Sequence, residues 1–274
     1  MALTEFQRTL CRLISRHRIE LGESYVAGGV ALSALIHSPR ISRDIDLFHD
    51  TRAAVQKAWD ADRTLLLAGG YQVEVRRERP AFVEALVTKE RESVLLEWTV
   101  DSAFRFFPLV QHPELGLVLH PFDLATNKVL ALVGRLEVRD WIDVIECHRK
   151  VQRLGYLVWA AGGKDPGLNP GIILAEARRS AHYTDDEIAR LAFSGPPPEA
   201  KRLAQEWGAM MDETSSIVEI LPAEHAGKCI LQADGELFRG DSGELQKTLR
   251  ANKILFHAGS LRGAFPRLVQ RGQT

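Results

Sequence analysis

The chain has 274 residues, 45% hydrophobic and 26% charged, which suits a folded globular protein with room for two structural units. A formal net charge of −1, close to balance in both halves, argues against the broad basic surface that grips long nucleic acid, although a small patch for one RNA end would not show in the total. Cys11, Cys147 and Cys229 form no C-x-x-C pair, which argues against a disulfide framework or structural zinc; with no apolar run of signal or membrane-spanning length, the expectation is a cytoplasmic protein without a membrane partner.

Phe6, Leu10, Leu13 and Ile14 recur at helical spacing and predict an amphipathic helix over residues 5–18. Residues 25–27 read as a short strand running into Gly28-Gly29, and residues 30–36 as a helix that stops near Pro39. Residues 41–48 read as a strand, with Ile45 and Leu47 on one face and Asp44 and Asp46 on the other. A helix over 52–68 ends at Gly69-Gly70, and strands follow at 71–77, 82–88 and 94–100. From Phe122 onward the pattern is helical. One helix carries Leu124, Val129, Leu132 and Val133, and the next runs from Trp141 to Leu154. A turn cluster at 162–167 precedes two or three helices within 172–192 and 199–213. Cys229–Gln232 and residues 236–239 flank Ala233-Asp234-Gly235 as a hairpin. The fold class expected is α/β (α+β), a mixed sheet flanked by helices and followed by a mainly helical C-terminal region.

The stretch with chemical meaning is Gly28-Gly29, fourteen intervening residues, then Asp44-Ile45-Asp46-Leu47-Phe48. Strand alternation puts both carboxylates on one face, where they repel unless a cation or proton is present. Mg²⁺ takes oxygen ligands, usually one or two carboxylates together with substrate phosphates. Two glycines before a helix start let a triphosphate approach free backbone N–H groups. Either feature alone is weak, since Gly-Gly turns and Asp-x-Asp strands are common. Their conjunction in strand, turn, helix, strand order is far more specific.

The segments Val26-Ala27-Gly28-Gly29-Val30-Ala31-Leu32 and Ser42-Arg43-Asp44-Ile45-Asp46-Leu47-Phe48 resemble the AbiEii-type, abortive-infection toxin-like nucleotidyltransferases of the DNA polymerase β superfamily. A second match is His120-Pro121-Phe122-Asp123-Leu124-Ala125-Thr126-Asn127-Lys128, followed by Arg135 and Arg139-Asp140-Trp141-Ile142-Asp143. The resemblance covers roughly residues 20–155. It implies a polymerase β-like core over residues 1–120 and a helical part of the active-site region over 121–160; beyond it, residues 161–274 are expected to form a mainly helical region that walls the acceptor. The implied reaction moves an NMP from an NTP to an acceptor hydroxyl with Mg²⁺ or Mn²⁺, on tRNA or another RNA, within a toxin–antitoxin or phage-defence system that supplies an antitoxin partner.

Residue by residue, Gly28 and Gly29 match the turn that cradles the triphosphate, with glycine in place of a serine at the second position. Asp44 and Asp46 match the metal-binding pair. The third carboxylate of the superfamily falls on Glu97, with Asp101 as the alternative. Lys128 matches the helix lysine that contacts nucleotide phosphate, Asp140 the first acid of the downstream run, and Asp143 either a second acid or a salt-bridge partner for Arg135 or Arg139. Arg43 either balances the charge of the carboxylate pair, contacts the γ-phosphate or lies on the surface. His120 and His148 lack ligand-spaced partners and read as surface or capping residues; Trp98 and Trp141 read as packing. Two other readings stand beside this one: a nucleotidyltransferase acting on an antibiotic-type small molecule, and a catalytically silent protein that binds nucleotide or a partner.

Overall fold

The computed structural model describes residues 3–180 and 182–267, so residue 181 and residues 268–274 of the expected C-terminal region lie outside the described residues. Helix α1 (Glu5–Leu21) leads into β1 (Ser24–Val26), α2 (Gly28–Ile36), β2 (Arg40–Ile41), β3 (Asp44–His49) and α3 (Arg52–Ala68). Then come β4 (Gln72–Arg79), β5 (Phe82–Lys89), β6 (Glu92–Val100), β7 (Phe104–Arg105), β8 (Val110–His112) and β9 (Gly116–Val118). Helices α4 (Pro121–Arg135), α5 (Val138–Lys150), α6 (Leu154–Ala161), α7 (Pro170–Ala177) and α8 (Asp185–Ala189) follow. The remainder is β10 (Ala192–Phe193), α9 (Ala200–Ile220), β11 (Cys229–Gln232), α10 (Ser242–Arg250), β12 (Ile254–His257) and β13 (Ser260–Leu261). Among the described residues no helix is long and apolar enough to cross a membrane.

The chain divides into two compact units. The first comprises Met1–Ala103, Pro108–Leu124 and Leu191–Pro196; the second comprises Phe104–Phe107, Ala125–Arg190 and Pro197–Thr274. The change of unit thus falls inside α4, and a short later segment returns to the first unit, where β10 pairs with β2.

In the first unit a seven-stranded mixed sheet runs in the order β4-β5-β6-β3-β1-β9-β8. Strand β3 sits inside it, antiparallel to β1 and parallel to β6. Its alternation is the reason for its place: Ile45, Leu47 and His49 are buried, while Asp44, Asp46 and Phe48 are only partly covered. On the buried face Val83, Ala85 and Val87 of β5 and Leu96 and Trp98 of β6 continue the apolar surface, and α3 packs there, with Trp59 edge-on to Trp98 at 4.8 Å. The helices start where the sequence provides caps. Thr4 and Gln7 form a capping box at α1, Thr51 caps α3, and Gly22 ends α1 in the left-handed region.

A polar network lies within this core. Arg18 donates to Asp62 at 2.6 Å and to the Ser24 hydroxyl at 2.9 Å, and the Trp98 indole donates to Asp62 at 2.8 Å. The imidazole of His49 lies 3.0 Å from Ser24 Oγ and 3.3 Å from the Thr99 carbonyl. Burial, then Arg18, lowers the His49 pKa to about 4. A neutral ring with its proton on Nδ1 satisfies every partner: it donates to Thr99 and accepts from Ser24, whose oxygen accepts from Arg18. The network ties α1, α3, β1, β3 and β6 together just beneath the acid-bearing face.

The second unit is mainly helical. Tyr156 and Trp159 of α6, Ile217 and Leu221 of and after α9, Ile230, Phe238 and Leu245 form a buried cluster. Helix α6 passes close to α9 because residue 155 is glycine; a Cβ there would lie 2.7 Å from Ile217. The helix expected from Trp141 to Leu154 is two helices. The backbone turns after Lys150, and the His148 ring accepts from the Leu154 amide at 3.0 Å, capping α6. His120 does the same for Phe122 at the start of α4, at 3.2 Å. Both rings have pKa values lowered first by burial, which keeps the accepting nitrogen free of a proton. The expected hairpin is also altered. Leu231 meets Leu237 only in an isolated bridge, and the ladder partner of β11 is β12 (Ile254–His257), beyond helix α10.

Candidate active site

The site begins where β1 runs out beside β3. Register pairs Val26 with Leu47, and the Ala27 amide donates to the Asp46 carbonyl at 3.0 Å. The next residue, Gly28, has φ +62 and opens α2. A Cβ built on Gly28 would lie 1.6 Å from Asp46 Oδ2. The Asp46 carboxylate therefore rests against the bare Cα of the turn, and only glycine permits it there. The second glycine has another neighbour: a Cβ on Gly29 would lie 2.7 Å from both the Arg40 guanidinium and the Ser42 hydroxyl. Arg40 is 5% exposed. The Arg40 guanidinium and the Ser42 hydroxyl thus lie under Gly29, and the Asp46 carboxylate lies under Gly28.

Across the parallel pair β3–β6, Asp46 is in register with Glu97 and Asp44 with Leu95. Neighbouring strands lie about 4.8 Å apart, so Asp46 and Glu97 are adjacent on one face. The Glu97 carboxyl is pushed above the usual carboxylate range, first by burial, then by the negative charges of Asp46, Glu84 and Asp44, with Arg77 opposing. Asp101 stands past the end of this register. Its amide donates to the His49 carbonyl, and its carboxylate accepts from the Ser102 amide at 2.8 Å, a turn arrangement. Arg43 is exposed, and its carbonyl accepts from the Gln7 side chain at 3.5 Å.

The row continues beyond the residues singled out from sequence. Glu97 is in register with Glu84 on β5, and Glu84 with Arg77 on β4. Glu84 is 8% exposed, and Arg77 donates to both of its carboxylate oxygens, Nε at 3.1 Å and Nη2 at 2.9 Å. Among the described residues no three or more His, Cys, Asp or Glu side chains are gathered closely enough to hold a metal ion by themselves. The strand face presents an open set of carboxylates, the donor chemistry that Mg²⁺ or Mn²⁺ takes together with phosphate oxygens and water. The residues fit such an ion.

Lys128, Asp140, Arg135 and Asp143 come together in the second unit. Lys128 Nζ lies 2.8 Å from Asp143 and 3.4 Å from Asp140, and Arg135 grips Asp140 at 2.6 and 3.0 Å. Asp140 and Asp143 are almost fully buried, and Lys128 is 7% exposed. The two cations offset the two acids, and Asp140 sits in the first turn of α5, where the helix dipole favours an anion. Arg139 pairs instead with Glu137 at 2.6 Å.

A seven-stranded mixed sheet flanked by helices is the polymerase β-like nucleotidyltransferase fold. Structural comparison agrees on the fold. JHP933 from Helicobacter pylori superposes with a TM-score of 0.51 at 15% identity, covering 79% of this chain and 95% of its own. MenT4, a nucleotidyltransferase toxin from Mycobacterium tuberculosis, gives 0.51 at 20% identity, covering 80% and 83%. Comparison with curated proteins yields no significant sequence match. The family model of the nucleotidyl transferase AbiEii toxin, type IV toxin–antitoxin system, matches residues 12–220. The chain belongs to this family, and it is an enzyme of the nucleotidyltransferase type.

Proposed function

We propose that Asp44, Asp46 and Glu97 hold a divalent cation, Mg²⁺ or Mn²⁺, on a nucleoside triphosphate cradled by Gly28 and Gly29, and that the enzyme transfers the NMP to an acceptor hydroxyl. The observation that carries this reading is the Asp46 carboxylate, seated against the Gly28 backbone and in register with Glu97. A bound dication supplies positive charge to the phosphates and lowers the pKa of the attacking hydroxyl. The chain supplies the rest. Backbone amides at the start of α2 donate to phosphate oxygens, the buried Arg40 beneath Gly29 adds positive potential there, and the core network fixes the strand that carries the acids. By family likeness Lys128 is proposed as a phosphate-contacting charge and Asp140 as a catalytic acid; the Arg135 and Lys128 contacts of Asp140 favour a role in holding Lys128.

By the same likeness the acceptor is RNA, tRNA included, and an antitoxin protein restrains the enzyme. The near-zero net charge favours a short RNA end over an extended track and keeps an antibiotic-type small molecule as the second reading. The deciding experiment incubates the protein with each labelled NTP, Mg²⁺ and total RNA, then with a panel of small hydroxyl acceptors. Label on a discrete RNA supports the first reading, and label on a small molecule the second. No label, together with no calorimetric binding of Mg²⁺–NTP, leaves a silent binding protein and refutes transfer.

A further inference from the structure

The charges on the open face form a line across four strands: Asp46, Glu97, Glu84 and Arg77, each in register with the next. Three adjacent carboxylates on one sheet face repel one another, and like charges directly opposite destabilise a sheet. Glu84 is the most buried of them apart from its contact with Arg77, yet it lies one strand beyond the acids assigned to the metal. Arg77 reaches it through a backbone irregularity. The register shifts between Val75, opposite Ala85, and Arg77, opposite Glu84, so Arg76 is an extra residue in β4. Without that bulge Arg76 would face Glu84 and Arg77 would turn to the opposite side. Bulges of this kind at sheet edges re-aim a side chain, and this one aims a guanidinium at the end of the acid row. Arg77 itself is largely exposed, with a side-chain exposure of 62%, and its ring neighbour is Phe82 at 5.6 Å. Packing gives little reason for the bulge; the two-point grip on Glu84 does.

We propose that Arg77 and Glu84 are a positioning pair for the metal site. The guanidinium holds Glu84 so that it neither ligates the cation nor displaces Glu97, and Glu97 is left as the outer open carboxylate of the row. The proposal rests on the reading of Asp46 and Glu97 as metal ligands. A pair that only anchored the edge strand β4 would change stability but leave the metal site alone.

The test uses the full chain and Mn²⁺ as probe, titrated by calorimetry and electron paramagnetic resonance without nucleotide, beside steady-state NMP transfer. Arg77→Met releases Glu84 as a free carboxylate next to Glu97. Mn²⁺ affinity is then expected to tighten roughly three- to tenfold, well below the unscreened Coulomb limit because Arg77 is solvent-facing. At the same time kcat falls about tenfold or more, the usual cost of losing a support of a metal ligand, with KM for NTP within about twofold. The double variant Arg77→Met/Glu84→Gln removes the loose charge, and both values return toward wild type. Unchanged Mn²⁺ binding in Arg77→Met overturns the proposal. So does a double variant that stays as slow as the single while both lose thermal stability alike, because that is the signature of a strand anchor. Glu97→Gln separates the two levels: if it binds Mn²⁺ and transfers NMP like wild type, the metal-site reading fails, whatever Arg77→Met does.

Discussion

Gly28→Ala isolates the close approach of turn and acid. The substitution adds one methyl group at a residue with φ +62, where the new Cβ would lie 1.6 Å from Asp46 Oδ2, 2.6 Å from its Cγ and 3.0 Å from its Cβ. Non-bonded heavy atoms settle at about 3.5 Å or more, so the carboxylate has to retreat by roughly 2 Å or the turn has to open by as much. Left-handed backbone costs an alanine about 1–2 kcal/mol, and an off-rotamer Asp46 adds about 1 kcal/mol, so folding stability is expected to fall by about 2–3 kcal/mol. The effect on transfer is larger in proportion, because a misplacement of about 1 Å in a reacting array costs on the order of a hundredfold in rate. The assays are urea denaturation and incorporation of labelled NMP. Gly22→Ala is the control. Gly22 has φ +67 but nothing within 4 Å of its added Cβ, so it carries only the backbone cost and keeps its transfer activity. Equal transfer by Gly28→Ala and wild type would refute the reasoning.

Asp46→Asn keeps the volume and removes the charge. Transfer should fall by roughly two to four orders of magnitude, while the metal-free protein gains about 0.5 kcal/mol from relief of repulsion with Glu97; a variant that transfers normally excludes Asp46 as a ligand. Because the His49 pKa is lowered to about 4 from an ordinary 6.5, its contribution to stability is complete above 6.5 and is lost as pH falls toward 4. Denaturant curves at pH 7 and pH 4 should show wild type losing up to about 3 kcal/mol that His49→Gln does not lose; parallel losses would show that this ring is not responsible. Lys128→Met strands the buried Asp143, and guanidinium unfolding should register a loss of about 3 kcal/mol that Asp143→Asn in the same background partly restores. No loss in the single variant would show the pair to be dispensable.

What the sequence disclosed depended on how local each signal was. Asp44, Ile45, Asp46 and Leu47 announce a two-faced strand by themselves, and Gly28-Gly29 announces a tight turn; both are where they were expected. The line Asp46–Glu97–Glu84–Arg77 spans four strands and is a matter of register, which alternation within one strand does not determine. A one-residue bulge at Arg76 has no sequence signature strong enough to place it. Arg40 and Ser42 share the parity of Asp44 and Asp46, but Arg40 fell outside the strand read over 41–48, and the break between a short strand ending at Ile41 and the one starting at Asp44 left Ser42 unmarked. The break between α5 and α6 was hidden for a related reason. Apolar residues continue at helical spacing through it, and the capping His148 reveals the break only once the backbone is seen. The strand partner of β11 was masked by Ala233-Asp234-Gly235, which does turn the chain back to a bridge at Leu237, while the longer ladder forms with β12.

The two clusters of acids in this chain are handled in opposite ways, and the contrast bears on which of them meets a cation. In the second unit each buried carboxylate already has its counter-charge: Asp140 has Arg135 and Lys128, and Asp143 has Lys128 at 2.8 Å. A dication arriving there would have to displace cations already in place. In the first unit Glu84 has Arg77, but beside it the Glu97 carboxyl is raised by burial and by three neighbouring acids, with only the more distant Arg77 to oppose them. Electrostatic strain of this kind is relieved by a proton in the free protein or by a cation with its own ligands, and it is concentrated beside the glycine turn that the Asp46 carboxylate rests against. The cluster in which Glu97 is held above its usual range, and not the one closed by Lys128 and Arg135, is therefore the place where an added divalent cation gains most.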